Sequence, residues 1–261
     1  DEGPDVGGPY APYIQSQRLP IYEEYIARLL ESGRAYRCFC TPEELEAERE
    51  LQRARGLPPR YGGACRALDD EQARRMAAEG RPWCIRFRTE DTGVTVIHDL
   101  VRGEISFDNA LMGDFVIQKT SGYPTYHLAV VVDDHLMDIT HVLRAEEHLP
   151  NTQAHVQLMA ALGFERPQFA HLPLILGPDR TKLSKRHGAV NLMDYRDQGF
   201  LPEAMRNFLA LIGWSPGGDE EILDLQELIE RFTLAGVSRS PGIFDLEKAI
   251  WLNGEYLKRA D

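Results

Sequence analysis

The stretch "YPTYHLAVVVDD", Tyr123 to Asp134, contains an unbroken apolar run, Leu128 to Val132, that stops abruptly at Asp133-Asp134. Such a run predicts a strand buried on both faces, as in a parallel sheet, with the two acids at its carboxyl end. Open α/β sheets bind ligands at that end. Paired acids there suggest metal or general-acid chemistry, with a structural role as the alternative.

On the carboxyl side the spacing predicts a helix over 151–163 and a second buried strand in "HLPLILG", His171 to Gly177. Directly after it comes "DRTKLSKRHG", Asp179 to Gly188, which places Arg180, Lys182, Lys185 and Arg186 on a loop, with Thr181 and Ser184 among them. A basic run is ordinarily a solvated surface loop. In a chain of formal net charge -12, however, such a concentration of cations calls for an anion. From Pro202 onward the pattern is helical: Leu201, Ala204, Met205, Phe208, Leu209 and Ile212 share a face, with Gly213 as a stop. Asp224 with Glu227, and Asp245 with Lys248, introduce further helices.

On the amino side, Ile21, Tyr22, Tyr25, Ile26, Leu29 and Leu30 mark one face of a helix ending near Gly33. Thr41-Pro42-Glu43-Glu44 is a capping box with proline at the first helical position. A helix is expected from about Asp69 to Gly80. Beyond it Trp83, Ile85 and Phe87 alternate with Cys84, Arg86 and Arg88, and short β-type runs follow through "VTVIHDL", "GEISFD" and "DFVIQKTSGYPTYHLAVVVDD". Residues 36–120 therefore read as a small α+β unit.

A chain of 261 residues suffices for two moderate domains or one domain with an insertion. A hydrophobic fraction of 43% with charges of both signs excludes a disordered chain. No apolar run approaches the roughly 20 residues of a membrane span, and "DEGPDVGGPYAPY" fits neither a signal nor a transit peptide, so a soluble intracellular protein is expected. The acidic balance argues against indiscriminate nucleic-acid binding but leaves room for one local basic site. Of the four cysteines, Cys38 and Cys40 stand one residue apart, and Cys65 follows Tyr61 in "YGGAC". Three thiols could form an incomplete zinc set closed by a fourth donor. They fit equally well as reduced thiols packed as small hydrophobes.

Four long segments occur in order: "GYPTYHLAVVVDDHLMDITHVLRAEEHLPNT", "HLPLILGPDRTKLSKRHGAV", "YRDQGFLPEAMRNFLALIGWS" and "FDLEKAIWLNGEYL". With "DEGPDVGGPYAPYIQSQRLPIYEEY" and "CFCTPEELE" before them, the chain resembles the bacterial-type, class I glutamyl-tRNA synthetase family over nearly its whole length. The resemblance implies an α/β fold, the second half of a Rossmann-like nucleotide-binding fold carrying an inserted α+β acceptor-stem domain and a helical stem-contact domain. It places the end of the first half at 1–35, the insertion at 36–120, the second half at 121–190 and the helical domain at 191–261. Neither the family's His-x-Gly-His-type signature nor its anticodon-binding region has a counterpart here. The expectation is therefore a central fragment, inactive alone, of a monomeric cytoplasmic enzyme.

The implied activity is ATP-dependent formation of glutamyl adenylate and transfer of glutamate to the 3′ end of tRNA-Glu. KLSKR corresponds to the family's mobile clamp on the ATP triphosphate, with Lys182 and Lys185 catalytic, Ser184 orienting the loop and Leu183 as its apolar anchor. Glu147, Leu174 and Ile175 would border the adenine, and Tyr126 and Arg144 would select glutamate, the guanidinium being a planar partner for a carboxylate. Asp133-Asp134 take a structural or tRNA-end-positioning role, because glutamate is already anionic and needs no protein base. Magnesium would arrive with ATP. Two alternatives stand beside this reading. One is the related glutamyl-queuosine tRNA synthetase, whose zinc set Cys38, Cys40, Tyr61 and Cys65 could fit. The other is a non-catalytic, tRNA-binding module.

Overall fold

A computed structural model of the chain describes residues 2–184, 186 and 191–259. In chain order the regular elements are α1 (Leu19–Glu31), β1 (Ala35–Cys38), α2 (Pro42–Ala54), α3 (Asp70–Ala78), β2 (Cys84–Phe87), β3 (Val94–Asp99), β4 (Gly103–Asp108) and β5 (Val116–Gln118). There follow α4 (Tyr126–Leu136), β6 (His141–Ala145), α5 (Leu149–Leu162), β7 (Gln168–Leu172), β8 (Ile175–Leu176), α6 (Leu192–Asp197), α7 (Pro202–Gly213), α8 (Leu225–Arg231), β9 (Gly242–Ile243) and α9 (Leu246–Leu257). They divide into two compact units. The first comprises Asp1–Ile97, Ile105–Thr140 and Pro150–Pro167, and the second His98–Glu104, His141–Leu149 and Gln168–Asp261. Among the described residues no helix is long and apolar enough to cross a membrane.

In the first unit, α1 buries Tyr22, Tyr25, Ile26 and Leu29, the stripe its periodicity predicts. Both predicted features of α2 are present: Thr41 accepts the Glu44 amide, and the Glu44 carboxylate accepts the Thr41 amide. Each of the two bonds satisfies an amide that the helix itself leaves unpaired. Strands β1, β2 and β5 form an antiparallel sheet in that order, with Ala35 opposite Phe87 and Cys38 opposite Cys84.

The run Leu128–Val132 is helical, not a strand. It lies within α4, which buries Leu128, Ala129, Val131 and Val132. The buried residues share one face at helical spacing, but Val130 outside that face is apolar as well, so the run matches that of a sheet-core strand. Packing here overrides the β preference of three consecutive valines. Asp133 faces α1, where the buried Arg18 Nε donates to its Oδ1 at 2.8 Å and Tyr22 Oη to its Oδ2 at 2.8 Å. The same guanidinium donates to the Pro12 carbonyl at 2.9 Å. Asp133 is thus a strut between helices α1 and α4.

In the second unit, β6 and β7 run parallel over five pairs, His141 opposite Gln168 through Ala145 opposite Leu172. A parallel pair requires a crossover, and α5 supplies it. The end of β3 adds to β7 on its other side, Asp99 opposite Phe169. The "HLPLILG" segment is two strands: β7 ends at Leu172, and β8 pairs in parallel with β9. Tyr195, Met205, Phe208, Phe244 and Leu252 form the helical core, and Trp214, Leu223 and Leu228 a smaller one.

Candidate functional site

At the carboxyl ends of β6 and β7 the second unit assembles several of the residues singled out from the sequence. Arg144, on β6, lies opposite His171 on β7. Its Nε donates to His171 Nε2 at 3.2 Å and its Nη2 to the His148 carbonyl at 3.4 Å. Just beyond β6, Glu146 accepts the Leu174 amide at 3.1 Å and is ion-paired with Arg102. That bond fixes the backbone of the Leu172–Ile175 segment. Leu174 and Ile175 line an apolar pocket with Leu143, Pro173, Ile212 and Trp214.

The basic loop leaves this pocket through a tight turn. Gly177 and Thr181 are joined by a 2.8 Å backbone bond, Arg180 adopts φ 60°, and Lys182 bridges back to Leu176. Asp179 closes the turn by accepting the Thr181 amide and hydroxyl at 3.0 and 2.7 Å. Leu183 packs on the core cluster around Tyr195, Met205 and Phe208, as an apolar anchor should. Lys182 Nζ is ion-paired with Glu147, an exposed carboxylate whose pKa the lysine lowers. Ser184 is half-buried. Lys185, the other predicted clamp lysine, lies outside the described residues.

Tyr126 belongs to the first unit, where it opens α4 with its side chain 47% exposed. Its ring stands edge-on to that of His155 at 5.5 Å, and His155 Nε2 is 3.2 Å from His127 Nδ1.

The cysteine residues also converge. The sulfurs of Cys38, Cys40 and Cys65 lie within 4.8 Å of one another, Cys40 to Cys65 at 3.5 Å. Tyr61 Oη is 3.4 Å from the Cys38 sulfur and 3.7 Å from that of Cys40, and it accepts the Cys65 amide at 2.8 Å. Tetrahedral zinc with bonds of about 2.3 Å to sulfur and 2.0 Å to oxygen requires sulfur–sulfur edges of about 3.8 Å and sulfur–oxygen edges of about 3.5 Å. The donor set fits. Hydrogen bonds from the Cys65 and Cys84 thiols hold the Cys38 thiol well below its ordinary range, and the same contacts push Cys65 and Cys84 up.

Three features escaped the sequence reading. Cys84 adjoins the thiol cluster, and the Arg86 guanidinium stands over the Tyr61 ring at 3.9 Å. The third is a buried pair, His171 Nδ1 to Asp99 Oδ2 at 2.6 Å, with both side chains fully enclosed. Its signal was available: a histidine inside an apolar strand segment and an aspartate closing "VTVIHD" both need partners when buried.

The chain matches the family model for tRNA synthetases class I (E and Q), catalytic domain, over residues 3–251. It is 51% identical over 261 residues to the glutamate–tRNA ligase of Moorella thermoacetica and 54% to that of Heliobacterium modesticaldum, in each case covering 100% of this chain and 53% of the relative. The chain thus spans about half the length of the curated relatives it matches. A crystal structure of a glutamate tRNA ligase from Elizabethkingia meningosepticum, in complex with its amino acid, superposes with a TM-score of 0.92 at 39% identity, covering 100% of this chain and 57% of that one. The parallel strands and their helical crossover are accordingly those of a Rossmann-like class I synthetase fold. With the family model spanning nearly the whole chain and these relatives matched from end to end, the chain belongs to the class I tRNA synthetases for glutamate and glutamine.

Proposed function

We propose that these residues carry the glutamate-activating site of a glutamate–tRNA ligase, which forms glutamyl adenylate from ATP and glutamate and transfers glutamate to the 3′ end of tRNA-Glu. The observation that carries the reading is the ion pair of Lys182 with Glu147 just beyond the carboxyl end of β6, the strand on which Arg144 lies beside His171 of the parallel β7. A guanidinium fixed through its Nε is suited to a carboxylate ligand, and Tyr126 is assigned to the same amino acid. Leu174 and Ile175 offer an apolar slot to adenine beside Glu147.

Lys182 is paired with Glu147 and moves to the phosphates when ATP binds. There its ammonium, with that of Lys185, stabilises charge growing on the phosphoryl oxygens and pyrophosphate as glutamate attacks the α-phosphorus. Ser184 holds the loop in register. Magnesium arriving with ATP would supply charge neutralisation at the triphosphate, held by the nucleotide rather than by a protein cage. Glutamate is already ionised, so the protein's contribution is positioning and electrostatics.

The domain boundaries 1–35, 36–120, 121–190 and 191–261 belong to this proposal. The antiparallel sheet with α2 and α3 supports an acceptor-stem domain, and α6–α9 support a stem-contact domain. A monomeric state, a cytoplasmic location and a zinc ion held by Cys38, Cys40 and Cys65 with Tyr61 as fourth donor also belong to this proposal. That cysteine set also suits a glutamyl-queuosine synthetase, but the relatives matched over the entire chain are named as ligases.

Glutamate-dependent pyrophosphate exchange by the full-length protein tests the reading. Lys182→Ala and Lys185→Ala should each slow exchange about 10²-fold with little effect on glutamate binding. Arg144→Gln should raise KM for glutamate and weaken its preference over glutamine. Absence of exchange in the parent protein, with the amino acid and tRNA supplied, would sink the ligase reading.

A further inference from the structure

The buried Asp99–His171 pair lies directly behind Arg144. Asp99 Oδ1 accepts the amides of Arg102 and Val101 at 2.8 and 3.0 Å, and the His171 amide lies 3.1 Å from Oδ2. Three backbone donors and the imidazole stabilise a carboxylate, and they hold the Asp99 pKa down against the opposing effect of burial. An ionised Asp99 can only accept, so the proton between it and His171 resides on Nδ1. Burial, aided by the nearby Arg144 and opposed by Asp99, lowers the proton affinity of the ring. A neutral ring protonated at Nδ1 presents a bare Nε2, and at 3.2 Å from it stands Arg144 Nε, which has only a proton to offer.

We propose that Asp99 and His171 are positioning residues for glutamate selection: Asp99 fixes the tautomer of His171, and His171 Nε2 accepts from Arg144 Nε and orients its guanidinium toward the ligand carboxylate. This rests on the assignment of Arg144 to glutamate. The arrangement follows the logic by which a buried aspartate sets the tautomer of a catalytic histidine, here with an arginine as the group controlled. A pair that merely tied β3 to β7 would need the Asp99 contacts alone, and the identity of the second ring nitrogen would be immaterial.

The test is pyrophosphate exchange by the full-length protein, with glutamate and ATP varied separately. His171→Asn retains a donor for Asp99 and deletes the acceptor facing Arg144; it should raise KM for glutamate about tenfold while kcat and KM for ATP change less than about twofold. His171→Gln, which can return an amide oxygen near the place of Nε2, should recover most of that loss. Asp99→Asn should favour the opposite tautomer, set an N–H against Arg144 and raise KM for glutamate at least as much. In an Arg144→Gln background, His171→Asn should add nothing.

An unchanged KM for glutamate in His171→Asn, or a parallel loss in both substrates and kcat, overturns the proposal. Should Arg144→Gln itself leave KM for glutamate unchanged, the glutamate assignment fails and the positioning role with it. If Arg144→Gln raises KM and His171→Asn does not, only the positioning role fails. A measurement independent of variant folding is the nitrogen-15 spectrum of labelled histidine in the parent protein. A protonated Nδ1 and bare Nε2 at neutral pH support the proposal; an Nε2–H tautomer or an imidazolium overturns it.

Discussion

His171 also couples the site to pH. Burial lowers its proton affinity, Asp99 raises it, and Arg144 and His148 lower it, with a net shift downward. The unfolded chain, whose histidine titrates near ~6.5, therefore binds a proton at a pH where the folded chain does not. The stabilising contribution is complete above that value and is lost as pH falls below it toward the folded-state pKa. Asp99 behaves with its own sign: its depressed pKa adds stability above about 3.9, lost as pH falls through the folded value. Urea midpoints measured at pH 7.5 and 5.5 should fall more in the parent than in His171→Asn, whose amide does not titrate. Equal falls would mean that this ring takes up its proton alike in the folded and unfolded states.

At the scale of single elements, caps were legible and buried runs were not. Thr41 with Glu44, Asp224 with Glu227, and Asp245 with Lys248 all begin helices, because each cap is a local bond between residues two or three apart. Thr41→Ala should therefore cost about 1 kcal/mol, seen as a lower unfolding midpoint. The run in α4 could not be read locally, since what makes it a helix is the packing of its buried face and the Arg18–Asp133 strut across 115 residues. A similar limit applies to the short parallel pair beneath the basic loop. Gly242 on β9 faces Ile175 on β8, and a β-carbon there would lie 2.1 Å from the Ile212 carbonyl oxygen. Gly242→Ala should cost about 1–3 kcal/mol. It should also speed hydrogen exchange at the Phe244 amide, which donates to the Leu176 carbonyl at 2.8 Å. Unchanged exchange would show that β9 can shift without loosening β8.

Across the molecule, the sequence revealed residue types but not which distant ones meet. The order of motifs identified the synthetase fold and the basic loop, whereas Asp99 and His171 are 72 residues apart and only the parallel sheet joins them. The thiol cluster was half legible for the same reason: Cys38 and Cys40 are neighbours in the chain, while Cys65 and Tyr61 arrive from beyond α2. Its sulfurs are packed among Tyr36, Phe39, Ala73 and Met76 in the first unit, so a bound ion would stabilise that core. Protein purified without added metal should contain about one zinc per chain. Cys38→Ser or Cys65→Ser should abolish it, and Cys84→Ser should retain it, because Cys84 lies beside the donor set but outside it. Removing the ion with a chelator should speed exchange of the Phe39 and Cys65 amides, which donate to the Cys65 sulfur and to Tyr61 Oη, and should leave the α7 amides protected. Zinc-free protein with those two amides already protected would instead make the cluster a packed set of thiols, stabilised by burial and by hydrogen bonds to Cys38.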